Sequence, residues 1–130
     1  MKKLLYYILA AATLTACHDN IEDRAARELD EYTRKNCPMK MSDNVSLDSM
    51  CYDRATRELR YCYTLTGNAD TTMAPDLAQE QREVLVNNVR NEPSLKAYKD
   101  EGLGFRYTYY SQKNRGSVIF DCLVGEKDYK

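Results

Sequence analysis

Cysteine and histidine carry most of the reactive chemistry available to this chain, and they are unevenly placed. Five cysteines stand at Cys17, Cys37, Cys51, Cys62 and Cys122, and the single histidine, His18, adjoins the first of them. Thiols can pair as disulfides, ligate a metal or act as nucleophiles, and the last two roles need partners. No two cysteines have the C-x-x-C spacing and there is no second imidazole, so neither a zinc site nor a Cys-His pair is expected. A Ser-His-Asp arrangement in the body of the chain fails for the same reason. Carboxylate pairs such as Glu28/Asp30 and Asp100/Glu101 are what chance supplies among 20 acidic residues. Gly102-Leu103-Gly104 lacks the third glycine of a dinucleotide loop and precedes a strand pattern. The expectation is a protein that is not an enzyme and takes no cofactor and no metal.

Cys17 is set apart by what precedes it. Lys2-Lys3, an apolar run from Leu4 to Ala12, and Leu14-Thr15-Ala16 form the positive start, short apolar middle and small-residue exit of a secretory signal. The run is far shorter than the roughly 20 residues a spanning helix needs, and no later segment approaches that length. Leu14-Thr15-Ala16-Cys17 resembles the lipobox of bacterial lipoproteins. The resemblance implies that residues 1–16 are a signal peptide and that Cys17 is the lipid attachment site, carrying fatty acyl chains such as palmitate. Residues 17–20 are then a lipidated tether, and 21–130 a single domain. Two or more acyl chains hold firmly where one holds marginally, so the implied partner at this end is the membrane itself. His18 stands where an aspartate would favour the inner membrane in the enterobacterial sorting pattern. The resemblance therefore implies the outer membrane, on its periplasmic side or at the cell surface. Asp19, Glu22 and Asp23 resemble the surface-export signals of Bacteroidetes lipoproteins.

The 114 residues after the signal are one domain's worth of chain, long enough to bury a core without metal or disulfides. Loss of Lys2 and Lys3 leaves 17 basic against 20 acidic residues, a net charge of −3. Mixed charge of that size, in an exported protein, argues against a nucleic-acid partner.

A helix is expected over 20–36, with Asn20 as N-cap and Ile21, Ala25, Leu29 and Tyr32 as its apolar stripe. Residues 39–44 read as irregular. Strands are expected over 45–52 and 58–66, joined by a polar turn. In the second, Leu59, Tyr61, Tyr63 and Leu65 alternate with Arg60, Cys62 and Thr64. Pro75 fits the first position of another helix, whose stripe is Leu77, Ala78, Val84, Leu85 and Val89. A short helical turn over 94–99 ends at Gly102. A second hairpin sets Phe105, Tyr107 and Tyr109 against Val118, Phe120, Cys122 and Val124, and the tail from Gly125 reads as loose. The expected fold class is α+β, ordered α-β-β-α-β-β, with a four-stranded, mainly antiparallel sheet and helices packed on one face. The face with Leu59, Tyr61, Tyr63, Phe105, Tyr107, Phe120 and Val124 should meet the helices.

With Cys17 carrying lipid, four thiols remain, an even number in an oxidising compartment. A hairpin pairing Ala55 with Glu58 sets Cys51 opposite Cys62, within disulfide reach. Cys37 and Cys122 would be the complementary pair, and unlinked buried thiols are the alternative.

Residues 28–130 resemble small exported proteins of Gram-negative bacteria, including Bacteroidales lipoproteins. The likeness is carried by Asn36-Cys37-Pro38-Met39, Leu47-Asp48-Ser49, Leu59 to Leu65 and Gly104 to Tyr109. It implies fold and location and brings no mechanism. Asp48-Ser49-Met50 and Asp70-Thr71-Thr72 resemble the acceptor pattern of Bacteroidetes O-glycosylation.

Nine of the eleven tyrosines follow the signal and there is no tryptophan. Tyrosine is enriched at interfaces, yet alternate tyrosines in a strand are also what a half-buried sheet face contains. Tyr110, Arg106 and Arg60, on the other side of their strands from the core pattern, are the candidate binding surface. The reading is a non-catalytic envelope lipoprotein whose small domain binds an unidentified protein or supports an envelope assembly. An inhibitor or immunity-type protein against a secreted toxin or hydrolase is the alternative, and a glycan or ligand carrier a third.

Overall fold

A computed structural model describes residues 20–130. The signal peptide and Cys17 lie outside the described residues. Asn20 caps helix α1 (Ile21–Asn36), its side chain accepting from the Glu22 N–H at 2.8 Å. Acidic Glu22 and Asp23 open the helix and Arg34 and Lys35 close it, each complementing the helix dipole. Three strands follow: β1 (Met39–Ser42), β2 (Val45–Asp53) and β3 (Glu58–Leu65). Helix α2 (Pro75–Asn91) begins on Pro75 as expected. A 3-10 turn leads into α3 (Lys96–Asp100), and the chain then runs through β4 (Gly104–Ser111), β5 (Val118–Val124) and α4 (Glu126–Tyr129). Gly102, at φ +73°, supplies the left-handed residue that stops α3.

The sheet has five strands in the order β1-β2-β3-β4-β5, correcting the expected four. The extra strand, β1, lies in the stretch read as irregular. It pairs through backbone groups at the sheet edge, its side chains are mostly exposed, and the alternation of Met39-Lys40-Met41-Ser42 is too short, beside the turn residues Asp43-Asn44, to mark a strand. The sheet is also mixed. β3 and β4 are parallel, Leu59 against Phe105 and Tyr63 against Tyr109, and the connection between them passes through α2. The other three pairings are antiparallel.

The expected core face holds. Leu59, Phe105 and Val124 are fully buried, Tyr107 nearly so, and Tyr61, Tyr63 and Phe120 pack against them. One cluster joins these residues to Ala25 and Leu29 of α1, Leu85 and Val89 of α2, and Tyr98 of α3. Two stacked tyrosine pairs, Tyr61–Tyr107 at 4.8 Å and Tyr63–Tyr109 at 4.5 Å between ring centres, bridge the parallel strands. Burial pushes all four phenol pKa values upward.

Three details depart from the local reading. Tyr32 of the α1 stripe is exposed, and so are Leu77 and Val84 of the α2 stripe. The tail is not loose: α4 returns Tyr129 to the core, edge-on to Phe105 at 5.9 Å, with its hydroxyl donating to the Leu103 carbonyl at 2.9 Å. Three register shifts, at Met41 in β1, at Asp48 in β2 and beside Tyr110 in the β4–β5 pair, interrupt the pairing.

A candidate docking groove opposite the hairpin turn

At one pole of the domain β2 and β5 begin and β3 and β4 end. There the helical cover is incomplete and a groove of about 270 Å³ opens on the core side of the sheet. Val45, Leu65, Tyr109 and Phe120 form its floor, and Ala69, Met73 and Leu77 its rim, with Gln81 at one wall. Phe120 lies 5.8 Å from Tyr109 between ring centres, so the aromatic row continues into the opening. Leu77, on the first turns of α2, is 53% exposed. Polar rim groups are few: Asn68, Thr71, Thr72 and Gln81. The volume falls just below the roughly 300 Å³ at which small-molecule sites begin. A few apolar side chains from another polypeptide would fill it.

The rim is fastened by a buried carboxylate. Asp70 accepts from the Ser111 hydroxyl at 2.6 Å and from the Lys113 N–H at 2.9 Å, tying the loop after β3 to the β4–β5 loop. Those two bonds, the Ser111 one first, hold its carboxyl below the usual aspartate value of 3.8. A carboxylate depressed in the folded state adds stability that is present above the unfolded pKa and is lost as pH falls through the folded one. The urea midpoint of the wild type should therefore decline more steeply below about pH 4 than that of Asp70→Asn. Parallel slopes in urea titrations at several acid pH values would show that the clamp contributes nothing.

The residues singled out in the sequence lie elsewhere. Arg60, Arg106 and Tyr110 share the uncovered face of the sheet, as expected from alternation. Both guanidinium groups are already engaged there. Arg106 Nε donates to Glu58 Oε2 at 2.8 Å and its Nη1 to Asp121 at 2.5 Å. Arg60 Nη2 lies 3.3 Å from Asp53 and 3.5 Å from Glu58. Asp53, Arg60, Glu58, Arg106 and Asp121 thus form a ladder of alternating charge across four strands.

The cysteine geometry also changes. The β2–β3 register pairs Cys51 with Arg60 and Ser49 with Cys62, because Asp53 and not Ala55 faces Glu58. Cys51 and Cys62 are on the same face but diagonal, roughly 7–8 Å apart at α-carbon level, beyond the usual disulfide span. Burial raises the Cys51 thiol pKa, and the neighbouring Cys62 adds to the rise. Cys37 sits beside β1 and Cys122 on β5, at opposite margins of the sheet, which removes the geometric basis for pairing them. All four are free thiols in this structure. Buried Cys122 faces Arg82 Nη1 at 3.3 Å.

The carboxylates Glu28 and Asp30 diverge, Glu28 bonding Tyr98 and Arg24 and Asp30 bonding Arg34. In Asp70-Thr71-Thr72 the threonines are exposed on the rim, while the aspartate is buried in the clamp. Sequence reasoning missed the groove. Met73 and Leu77, two apolar residues flanking Pro75 in a polar stretch, were the available signal.

Fold and groove together define a small α+β domain with an apolar opening at one pole of a five-stranded mixed sheet. The chain belongs to the family described as Domain of unknown function (DUF8479), whose model matches residues 20–120. Residues 1–17 match the prokaryotic membrane lipoprotein lipid attachment site, so the protein is a lipid-anchored bacterial envelope lipoprotein. No curated protein matches the chain in sequence. Three solved structures share its fold. The Pseudomonas aeruginosa protein PA3611 has a TM-score of 0.68 at 9% identity, over 87% of this chain and 99% of that one. EpsS, a pilotin of the Vibrio vulnificus type 2 secretion system, has a TM-score of 0.64 at 16% identity, over 84% of this chain and 91% of its own. AspS, the Vibrio cholerae type II secretion system pilotin, has a TM-score of 0.58 at 14% identity, over 84% and 92%.

Proposed function

We propose that this lipoprotein is a non-catalytic docking domain, held on the outer membrane by its acylated Cys17. It takes an apolar or amphipathic segment of another envelope protein into the groove at the Leu77 pole. One observation carries the reading: an exposed leucine and an aromatic floor meet at a small, largely apolar opening of about 270 Å³. Two solved structures of this fold are pilotins of secretion systems, which supports an assembly role over the inhibitor alternative. The described residues include no histidine, and none of their carboxylates lines the groove. The likeness to Bacteroidales lipoproteins belongs to the same proposal.

A photo-crosslinking residue at Leu77 in the full-length lipoprotein tests it in the native envelope. A discrete adduct is expected that is absent when the probe replaces Glu31, on the exposed face of α1. With the probe at Met73 instead, the added change Leu77→Asp should reduce the adduct about 30-fold, the loss of a roughly 2 kcal/mol anchor. The thermal midpoint should shift little, because Leu77 is already half in water. The same adducts from Glu31 as from Leu77, or no effect of Leu77→Asp, would overturn the reading.

A further inference from the structure

The lipid attachment site and the start of the folded domain are very close in sequence. Only His18, Asp19 and Asn20 separate Cys17 from the first residue of α1. Fully extended chain spans at most about 3.6 Å per residue, so Ile21 cannot lie more than about 14 Å from the acylated residue. Roughly 5–8 Å of that reach is taken up by the head-group layer of one leaflet.

The beginning of α1 is in turn clamped to the β2–β3 turn. Tyr52 donates to Glu22 at 2.6 Å, Arg54 pairs with Asp23 at 2.8 Å, and Arg57 approaches Glu22 at 3.6 Å. These contacts join helix, turn and sheet, so the whole pole must travel with the tether. The groove opens at the opposite end of β3. That strand has eight residues, which places the two poles roughly 25 Å apart at about 3.3 Å per residue. A tether of about 14 Å cannot pass around a body of that height.

We infer that the domain has a fixed polarity on the membrane. The pole formed by the β2–β3 turn and the start of α1 rests on the head groups of the leaflet that holds its own acyl chains, and the groove faces away into the aqueous space. The resting surface suits that partner. Arg54 and Arg57 alternate with Asp23 and Glu22, a mixed-charge rim that matches the paired phosphate and ammonium of zwitterionic head groups. The inference rests on acylation at Cys17 and is independent of what the groove binds.

The test uses the full lipoprotein in phosphatidylcholine vesicles doped with a lipid spin-labelled on its head group. Flotation first selects the acylated, membrane-bound molecules. A fluorescent amino acid is placed at exposed Thr56, in the β2–β3 turn, or at exposed Arg115, in the β4–β5 loop. Quenching at Thr56 should exceed that at Arg115 by about threefold or more, given their roughly 25 Å difference in height. A spacer of about 20 Gly/Ser residues inserted before Asn20 spans about 25 Å on average and should bring the ratio toward one. Equal or stronger quenching at Arg115, or a ratio that the spacer leaves unchanged, would overturn the inference.

Discussion

Phe105→Ala should lower the unfolding free energy by about 4 kcal/mol, within the 3–5 kcal/mol typical of a fully buried aromatic truncated to alanine. Phe105 has no exposed surface. It stands between Leu59 on the parallel neighbour and Val124 on the antiparallel one, both fully buried, and meets Tyr129 edge-on. These neighbours belong to β3, β5 and α4, so the cavity cannot close by moving one side chain. A domain of this size holds about 5–15 kcal/mol in total, so the variant should be folded only marginally. Urea unfolding followed by circular dichroism measures the difference. Phe105→Leu, which keeps most of the volume, should lose less than half as much. A loss below about 1.5 kcal/mol for the alanine variant would mean that α4 is not docked as described.

The next residue points the other way and fails by different physics. Arg106→Ala should lower the unfolding free energy by about 2–3 kcal/mol, although the arginine lies on the uncovered face. Its fork holds Glu58 through Nε at 2.8 Å and Nη2 at 3.3 Å, and the Glu58 side chain is only 8% exposed. Removing the cation leaves a carboxylate with little water and one remaining cation, Arg60, at 3.5 Å. The partial exposure of Arg106 and the presence of Arg60 hold the loss below the 3–5 kcal/mol of a fully enclosed pair. Glu58→Gln in the Arg106→Ala background should recover about 1 kcal/mol, because the uncompensated charge is gone. Arg106→Lys should be intermediate, since an ammonium cannot bond both Glu58 and Asp121 with the same fork. A double-mutant cycle by urea unfolding decides this. Additive single effects would show that the two side chains do not depend on each other.

This pair of neighbours also marks how far local pattern reaches. Alternation along Leu59 to Leu65 and Phe105 to Tyr109 was enough to say which side of each strand is buried, because successive side chains leave a strand on opposite faces wherever it is placed. It could not say that Arg106 is committed to Glu58. Those residues are 48 apart in sequence and meet only because β3 and β4 are parallel neighbours. The same limit applies to the groove. The spacing of Leu77 and Val84 fits a helical stripe, but whether a stripe is covered depends on where the helix sits over the sheet. The expected opposition of Cys51 and Cys62 gives way to a diagonal placement through a shift of two in the hairpin pairing sum, set by where the turn closes.

By itself the sequence determined what is written in short-range chemistry. It marked the lipid site at Cys17, the helix starts at Asn20 and Pro75, the buried faces of β3, β4 and β5, and the lack of any imidazole beyond position 18. Caps, signal peptides and two-residue alternation need only a few neighbours along the chain. Tertiary structure alone decided the fifth strand, the parallel pairing of β3 with β4, the docking of α4, the charge ladder and the groove. Each of these joins segments far apart in sequence. A four-residue edge strand is too short for its alternation to stand out, and a gap between helix and sheet leaves no periodic mark in the residues that make it.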